Sequence, residues 1–182
     1  IKSPITGLGC TIPLAGPANK QARLCADAII DGDQTPYEGS IATSIAKIFD
    51  MTVAATGLTE KGLKAAKLPY RIAETHAGNH AGYYPNSLQL TLKILYHPVT
   101  GRLWGAQAVG FDGVDKRIDV ISAFIGKEGT IWDLAEFEQA YAPPFSSAKD
   151  PVNMVGFIAS NALDGLSDPI SWDEAERLRA EG

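Results

Sequence analysis

Residues 88–125 change hydrophobic period partway along. In "LQLTLKIL", Leu88, Leu90, Leu92 and Ile94 alternate with Gln89, Thr91 and Lys93, the pattern of a strand with one buried face. "HPVTGR" supplies a turn, and "LWGAQAVGF" the returning strand. Its glycines point to close backbone packing or a bulge. Beyond Asp112 the period becomes helical: Val114, Ile118, Ile121 and Ile125 share a face, with Phe124 beside them. Asp112 and Asp115 have the spacing of an N-cap and its N3 partner. A one-sided sheet followed by a one-sided helix can bury both apolar surfaces by stacking one on the other.

The flanking sequence extends this reading. From Pro13 to Ile30, Leu14, Ala18, Ala22, Cys25 and Ile29 recur at helical spacing, and Asp31-Gly32 ends the run. Pro17 belongs in a first turn, so the helix is expected to start close to it, with Cys25 as a small core residue. "DQTPYEGS" reads as a linker. "TSIAKIF", "TVAATGL" and "YRIAETH" read as strands, and "TEKGLKAAK" as a short helix capped by Thr59. After the long helix, "TIWD" opens another with Thr130 and Asp133 at capping-box spacing. A third is expected from Asp150 to Ala162, with Ser146 or Ser147 as its N-cap and Pro151 in its first turn. Strands first and helices after give an α+β class: an antiparallel sheet with helices packed on one face, preceded by a separate helix.

Several functions are disfavoured by what the chain lacks. A formal net charge of -5 with no basic run offers no surface for nucleic acid. No apolar run approaches membrane-spanning length and no signal peptide is present, so a cytoplasmic protein is expected. Cys10 and Cys25 form no zinc or C-x-x-C spacing, and His76, His80 and His97 have no metal-ligand partners in sequence. Neither standard phosphate-cradling glycine loop occurs, and no serine has a nucleophile-elbow context. The opening "IKSPITG" lacks Met and reads as a cut through a larger protein.

Two loops concentrate tyrosine: "NHAGYYPNS" and "AYAPPFSS". Loops are where binding residues gather. On residue chemistry alone, Tyr83, Tyr84 and Tyr141 are either half-buried ring packers with wet hydroxyls or ligand contacts, and Lys149 is a solvated charge.

Five stretches occur in an order that resembles a known family: "IPLAGPANKQAR", "IAKIFDMTVAATGLTEKGL", "HAGYYPNS", "LWGAQAVGFDGVDKRIDV" and "DLAEFEQAYAPPFSSAKDPVNMVG". Together they resemble the C-terminal part of flavin-dependent pyridine nucleotide–disulfide oxidoreductases. The branch is the single-cysteine one: coenzyme A–disulfide reductase, NADH oxidase and persulfide or polysulfide reductase. The resemblance implies a homodimer using FAD and NAD(P)H in the full-length parent, with no cofactor expected on this fragment alone. Residues 1–38 would end the FAD domain, 39–163 would form the dimerisation domain, and 164–182 would be a linker. "LDGLSDPISWDEAERL" resembles the linker that joins such reductases to a C-terminal rhodanese domain.

Site roles follow from the resemblance alone. Tyr141, together with Tyr83 or Tyr84, matches tyrosines that reach the partner subunit's redox cysteine and substrate sulfur. Leu14 and Ala15 match the helix N-terminus that faces the flavin. Asn19, Arg23 and Lys149 match positions near coenzyme A. The sequence departs from the family at Ala22 and Asn86, where glycine is common. The implied activity is reduction of CoA disulfide, CoA persulfide or polysulfide. The same region of an NADH oxidase, or a stand-alone dimerisation or CoA-binding module, remains the alternative.

Overall fold

The fold was obtained as a computed structural model, which describes residues 1–170 and 172–181. Ser171 and Gly182, both within the segment read as linker, lie outside the described residues. Five strands form one antiparallel sheet: β1 (Ser44–Ile48), β2 (Met51–Gly57), β3 (Arg71–Gly78), β4 (Gln89–Tyr96) and β5 (Leu103–Gly110). Their order is β1-β2-β5-β4-β3. The β4–β5 hairpin forms the middle of the sheet, with Leu92 opposite Ala108 and Ile94 opposite Ala106.

The alternation in β4 has the expected effect. Leu90, Leu92, Ile94 and Tyr96 face one core. Helix α3 (Val114–Gly126) covers it with Val114, Ile118, Ile121 and Ile125. Helices α4 (Ile131–Glu136) and α5 (Pro151–Leu163) complete the layer through Ile131, Leu134, Val152, Val155 and Ala159. Each fully buried aliphatic side chain contributes about 1.5–3 kcal/mol, so this helix-on-sheet layer is the main source of stability. Leu88 precedes the strand and is exposed. Helix α2 (Glu60–Ala66) belongs to a smaller cluster of Leu63, Leu95 and Trp104. Leu95 is out of phase with Leu92 and Ile94, so α2 lies on the opposite face of the sheet.

The glycines of β5 mark close packing, as expected: a Cβ at Gly105 would lie 2.0 Å from the Leu58 carbonyl oxygen. The last described element is α6 (Trp172–Glu181), a short helix within the segment read as a linker.

Caps agree with the sequence in two places and differ in two. Thr59 accepts from the Gly62 amide, and Thr130 forms a complete capping box with Asp133. The N-cap of α3 is Gly113, in the left-handed region at φ 72°, rather than Asp112. The Asp112 carboxylate instead accepts from Asn79 Nδ2 at 2.5 Å. The N-cap of α5 is Asp150, whose carboxylate accepts from the Val152 amide, rather than Ser146 or Ser147. A carboxylate is the better acceptor for helix N–H groups.

Helix α1 (Ala15–Ile30) starts slightly before Pro17 and buries none of its residues. Cys25 is therefore exposed, not a core residue. Its helical spacing is real, but Ile29 and Ile30 are exposed too, and among the described residues that side is left open to solvent.

Candidate functional site

The sheet and the α3 layer bring the two tyrosine loops together. The first loop leaves β3 and returns to β4, and Asn79 closes its base. The Asn79 amide donates to the Leu88 carbonyl, and the Leu88 amide donates to Asn79 Oδ1, both at 2.9 Å. Within the loop the Tyr84 amide donates to the Ala81 carbonyl, and Ser87 Oγ donates to the His80 carbonyl at 3.1 Å. Asn86 has φ 67°, a left-handed conformation that asparagine tolerates better than most residues, so the turn survives without glycine.

The second loop connects α4 to α5. Asn153 Nδ2 on α5 donates to the Phe137 carbonyl at 2.8 Å and the Leu134 carbonyl at 3.0 Å, which fixes where α4 ends and the loop begins. Pro143 and Pro144 stiffen the stretch after Tyr141, and a turn follows in which the Phe145 amide donates to the Ala142 carbonyl. The loops are joined by the Ala81 amide, which donates to the Ser146 carbonyl at 2.9 Å.

At the tip, the hydroxyls of Tyr83 and Tyr141 lie 3.2 Å apart. Their rings are 78% and 49% exposed, so the pair faces outward. Tyr84 is placed differently: its ring meets His80 edge-on, with centroids 5.7 Å apart. The hydrogen bond with Tyr83, with lesser contributions from burial and the Tyr83 charge, raises the pKa of Tyr141 above its ordinary value. The Tyr141 phenol is thus uncharged at neutral pH. One hydroxyl of the pair donates to the other, which leaves one O–H free to serve a third atom.

Below the loops lies a buried ionic cluster. Arg117 on α3 and Asp150 at the head of α5 are each 1% exposed. Arg117 Nη2 donates to Asp150 Oδ2 at 2.6 Å, and Nε to Oδ1 at 3.3 Å. Nη2 also donates to the Asn79 carbonyl at 2.6 Å, and Nη1 to the Gly113 carbonyl at 3.1 Å. Ser146 Oγ donates to Asp150 as well. Burial opposes the Asp150 charge. The bonds from Arg117, Ser146 and the Val152 amide, together with the guanidinium charge, outweigh it and hold the carboxyl below its ordinary range.

Among the residues expected from sequence, the structure therefore gathers Tyr83, Tyr84 and Tyr141 on neighbouring loops. Lys149 is exposed beside the same cluster, immediately before Asp150. Asn19 and Arg23 are exposed on α1, and Arg23 pairs with Asp27 at 3.7 Å. No hydrogen bond or ion pair joins them to the tyrosine loops or to Lys149 among the described residues. The Leu14 amide donates to the Ile12 carbonyl, whereas Ala15 opens α1, where an amide has no partner within the helix. Arg117 and Asn79 escaped the sequence reading. The signal for Arg117 was its place between Val114 and Ile121 on the apolar side of α3, where an unpaired charge would be prohibitive.

Among the described residues, no group of three or more His, Cys, Asp or Glu side chains could hold a metal. None of their helices is long and apolar enough to cross a membrane.

Residues 43–151 match the pyridine nucleotide-disulphide oxidoreductase dimerisation domain. A coenzyme A disulfide reductase of Staphylococcus aureus (strain bovine RF122 / ET3-1) is 40% identical over 152 residues, covering 84% of this chain and 34% of that protein. The crystal structure of reduced Bacillus anthracis CoADR-RHD superposes with a TM-score of 0.94 at 48% identity, covering 100% of this chain and 32% of that one. A NAD-dependent persulfide reductase from A. fulgidus gives a TM-score of 0.88 at 39% identity, covering 91% and 31%. The chain thus spans about a third of the length of the relatives it matches.

Proposed function

This chain belongs to the family of pyridine nucleotide-disulphide oxidoreductase dimerisation domains, and from that premise we propose that it is the dimer-forming region of an FAD- and NAD(P)H-dependent reductase of CoA disulfide, CoA persulfide or polysulfide. It serves as a homodimer in the cytoplasm and supplies tyrosines to the active site of the partner subunit. The observation that carries this reading is the outward-facing hydroxyl pair of Tyr83 and Tyr141 on two cross-linked loops. Among the described residues no hydrogen bond joins a cysteine to the pair, which suits half of a site completed by another subunit.

The division of the chain follows the same reading. Residues 1–38 end the FAD domain, which accounts for an α1 with no buried residue. Residues 39–163 are the dimerisation domain, and 164–182 form a linker toward a rhodanese domain. The match to CoADR-RHD covers the tail, which supports the linker and favours persulfide or polysulfide as substrate.

A flavin fits the head of α1 in part. The Ala15 amide is unpaired within the helix and lies at its positive end, whereas the Leu14 amide is already engaged. When bound, the flavin passes electrons from NAD(P)H to the sulfur centre. The contribution of this chain to the chemistry is a neutral phenol O–H that hydrogen-bonds sulfur as the S–S bond breaks and negative charge develops there. Tyr83 orients that donor. Lys149 offers a mobile point charge to a phosphate of CoA, with Asn19 and Arg23 as further polar contacts from α1.

Half-reaction kinetics of the full-length enzyme test the proposal. Tyr141→Phe is expected to slow reduction of the sulfur substrate by about 10- to 100-fold and to leave flavin reduction by NAD(P)H unchanged. Equal losses in both half-reactions would refute the role.

A further inference from the structure

We propose that Arg117 and Asp150 are positioning residues for the sulfur-reducing site: their buried ion pair holds the backbones of both tyrosine loops and thereby sets the separation of the Tyr83 and Tyr141 hydroxyls. This rests on the functional reading above.

The argument begins from what a buried ion pair normally does. Removing two charges from water costs several kcal/mol per ion, so a pair of well-packed apolar side chains would often give equal or greater stability. The α3 face that holds Arg117 is otherwise apolar, with Val114, Ile118, Ile121 and Ile125 all buried. Stability alone therefore does not explain a guanidinium there. Its hydrogen bonds do.

The guanidinium has a rigid fork of five N–H donors. It uses them on three separate segments: the Asp150 carboxylate at the head of α5, the Asn79 carbonyl at the base of the first tyrosine loop, and the Gly113 carbonyl at the head of α3. The carboxylate of Asp150 then reaches back to Ser146, at the end of the second tyrosine loop. The Ala81 amide closes the circuit by donating to the Ser146 carbonyl.

Both loops thus hang from one charge pair: among the described residues, the hydrogen bonds that join them are this circuit and the 3.2 Å contact of the tyrosines themselves. A lysine could not replace Arg117, because a single ammonium cannot reach the carboxylate and two carbonyls in the same fork geometry. Neither Arg117 nor Asp150 is exposed enough to touch substrate. Their action is through the loops.

A kinetic double-mutant cycle in the full-length homodimer distinguishes positioning from structural support. Asp150→Asn keeps the shape of the side chain and removes its charge. It is expected to slow the sulfur half-reaction by about tenfold or more, since small misplacements of reacting groups carry large rate costs, and to leave flavin reduction by NAD(P)H unchanged. In the Tyr141→Phe background the same change should cost nothing further, because the hydroxyl it positions is gone. In urea unfolding the two substitutions should simply add, because the exposed Tyr141 ring and the buried carboxylate stabilise the fold independently.

Rate losses that multiply in the double variant, or a native sulfur half-reaction in Asp150→Asn, would overturn the inference while leaving the role of Tyr141 intact. A silent Tyr141→Phe would instead overturn the functional reading and this inference with it. Should Asp150→Asn fail to fold, Ser146→Ala takes its place, since it deletes one donor and spares the ion pair. Its loss of about threefold should appear in the sulfur half-reaction alone and vanish with Tyr141→Phe; a Ser146→Ala enzyme with native kinetics, or with a loss that persists beside Tyr141→Phe, counts against the proposal.

Discussion

The hydroxyls of Tyr83 and Tyr141 lie 3.2 Å apart although 58 residues separate them in the chain. Neither loop could hold its tyrosine there alone. The contact exists because α3 and α5 pack on the same face of the sheet, and because Arg117 and Asp150 tie the loop bases together beneath it. Several consequences of this arrangement can be measured.

Arg117→Met should destabilise the protein by about 3–5 kcal/mol, because it leaves the Asp150 charge buried without its partner. The Asn79 and Gly113 carbonyls lose a donor as well. Combining it with Asp150→Leu should recover much of that loss, since an apolar pair has no charge to desolvate. Urea unfolding of the single and double variants decides the matter. Equal stability of Arg117→Met and the native protein would show that water reaches the site.

Acid should weaken the same cluster in a predictable direction. The Asp150 carboxyl is held below its ordinary value of 3.8, so between the two values the unfolded chain binds the proton and the native protein does not. The contribution is complete above about pH 4 and is lost as pH falls through the lowered native value. Asp150→Asn should therefore start from lower stability at neutral pH and decline less steeply on acidification. Parallel acid limbs in the two proteins would contradict this.

The junction of α4 and α5 should tolerate no added methyl. A Cβ at Gly156 would meet the Ala135 amide nitrogen at 2.6 Å and the Ile131 carbonyl oxygen at 2.9 Å. Both are backbone atoms and cannot rotate away. Gly156→Ala should cost about 1–3 kcal/mol as overpacking. Gly126→Ala, at the end of α3 with open space around it, should be neutral or gain up to about 1 kcal/mol. Thermal unfolding of the two variants gives the comparison.

The legible part of this molecule was its periodicity. The alternation of Leu90, Leu92 and Ile94, and the stripe from Val114 to Ile125, specify a helix layer on an antiparallel sheet because burial follows side-chain spacing directly. Thr59 and Thr130 were legible as caps for the same local reason. Cys25 was not, since helical spacing reveals an apolar side without showing what covers it. Asp112 lost its expected capping role and Asp150 took the one expected of Ser146 or Ser147, because their partners, Asn79 and Arg117, are distant in sequence. The tyrosines were visible as loop residues, and the family resemblance suggested their use. That Tyr83 pairs with Tyr141, while Tyr84 turns to His80, depends on long-range contacts that no local pattern encodes.

The central claim is that these tyrosines work in the partner subunit, and hybrid dimers of the full-length enzyme test it directly. One subunit carries Tyr83→Phe and Tyr141→Phe with its redox cysteine intact; the other keeps both tyrosines and has that cysteine inactivated. Each is nearly inactive as its own homodimer. If the tyrosines act across the interface, the hybrid assembles one complete site and recovers about half the native activity per dimer, as two-fold symmetry requires. Activity no higher than that of the two parent homodimers would contradict the account.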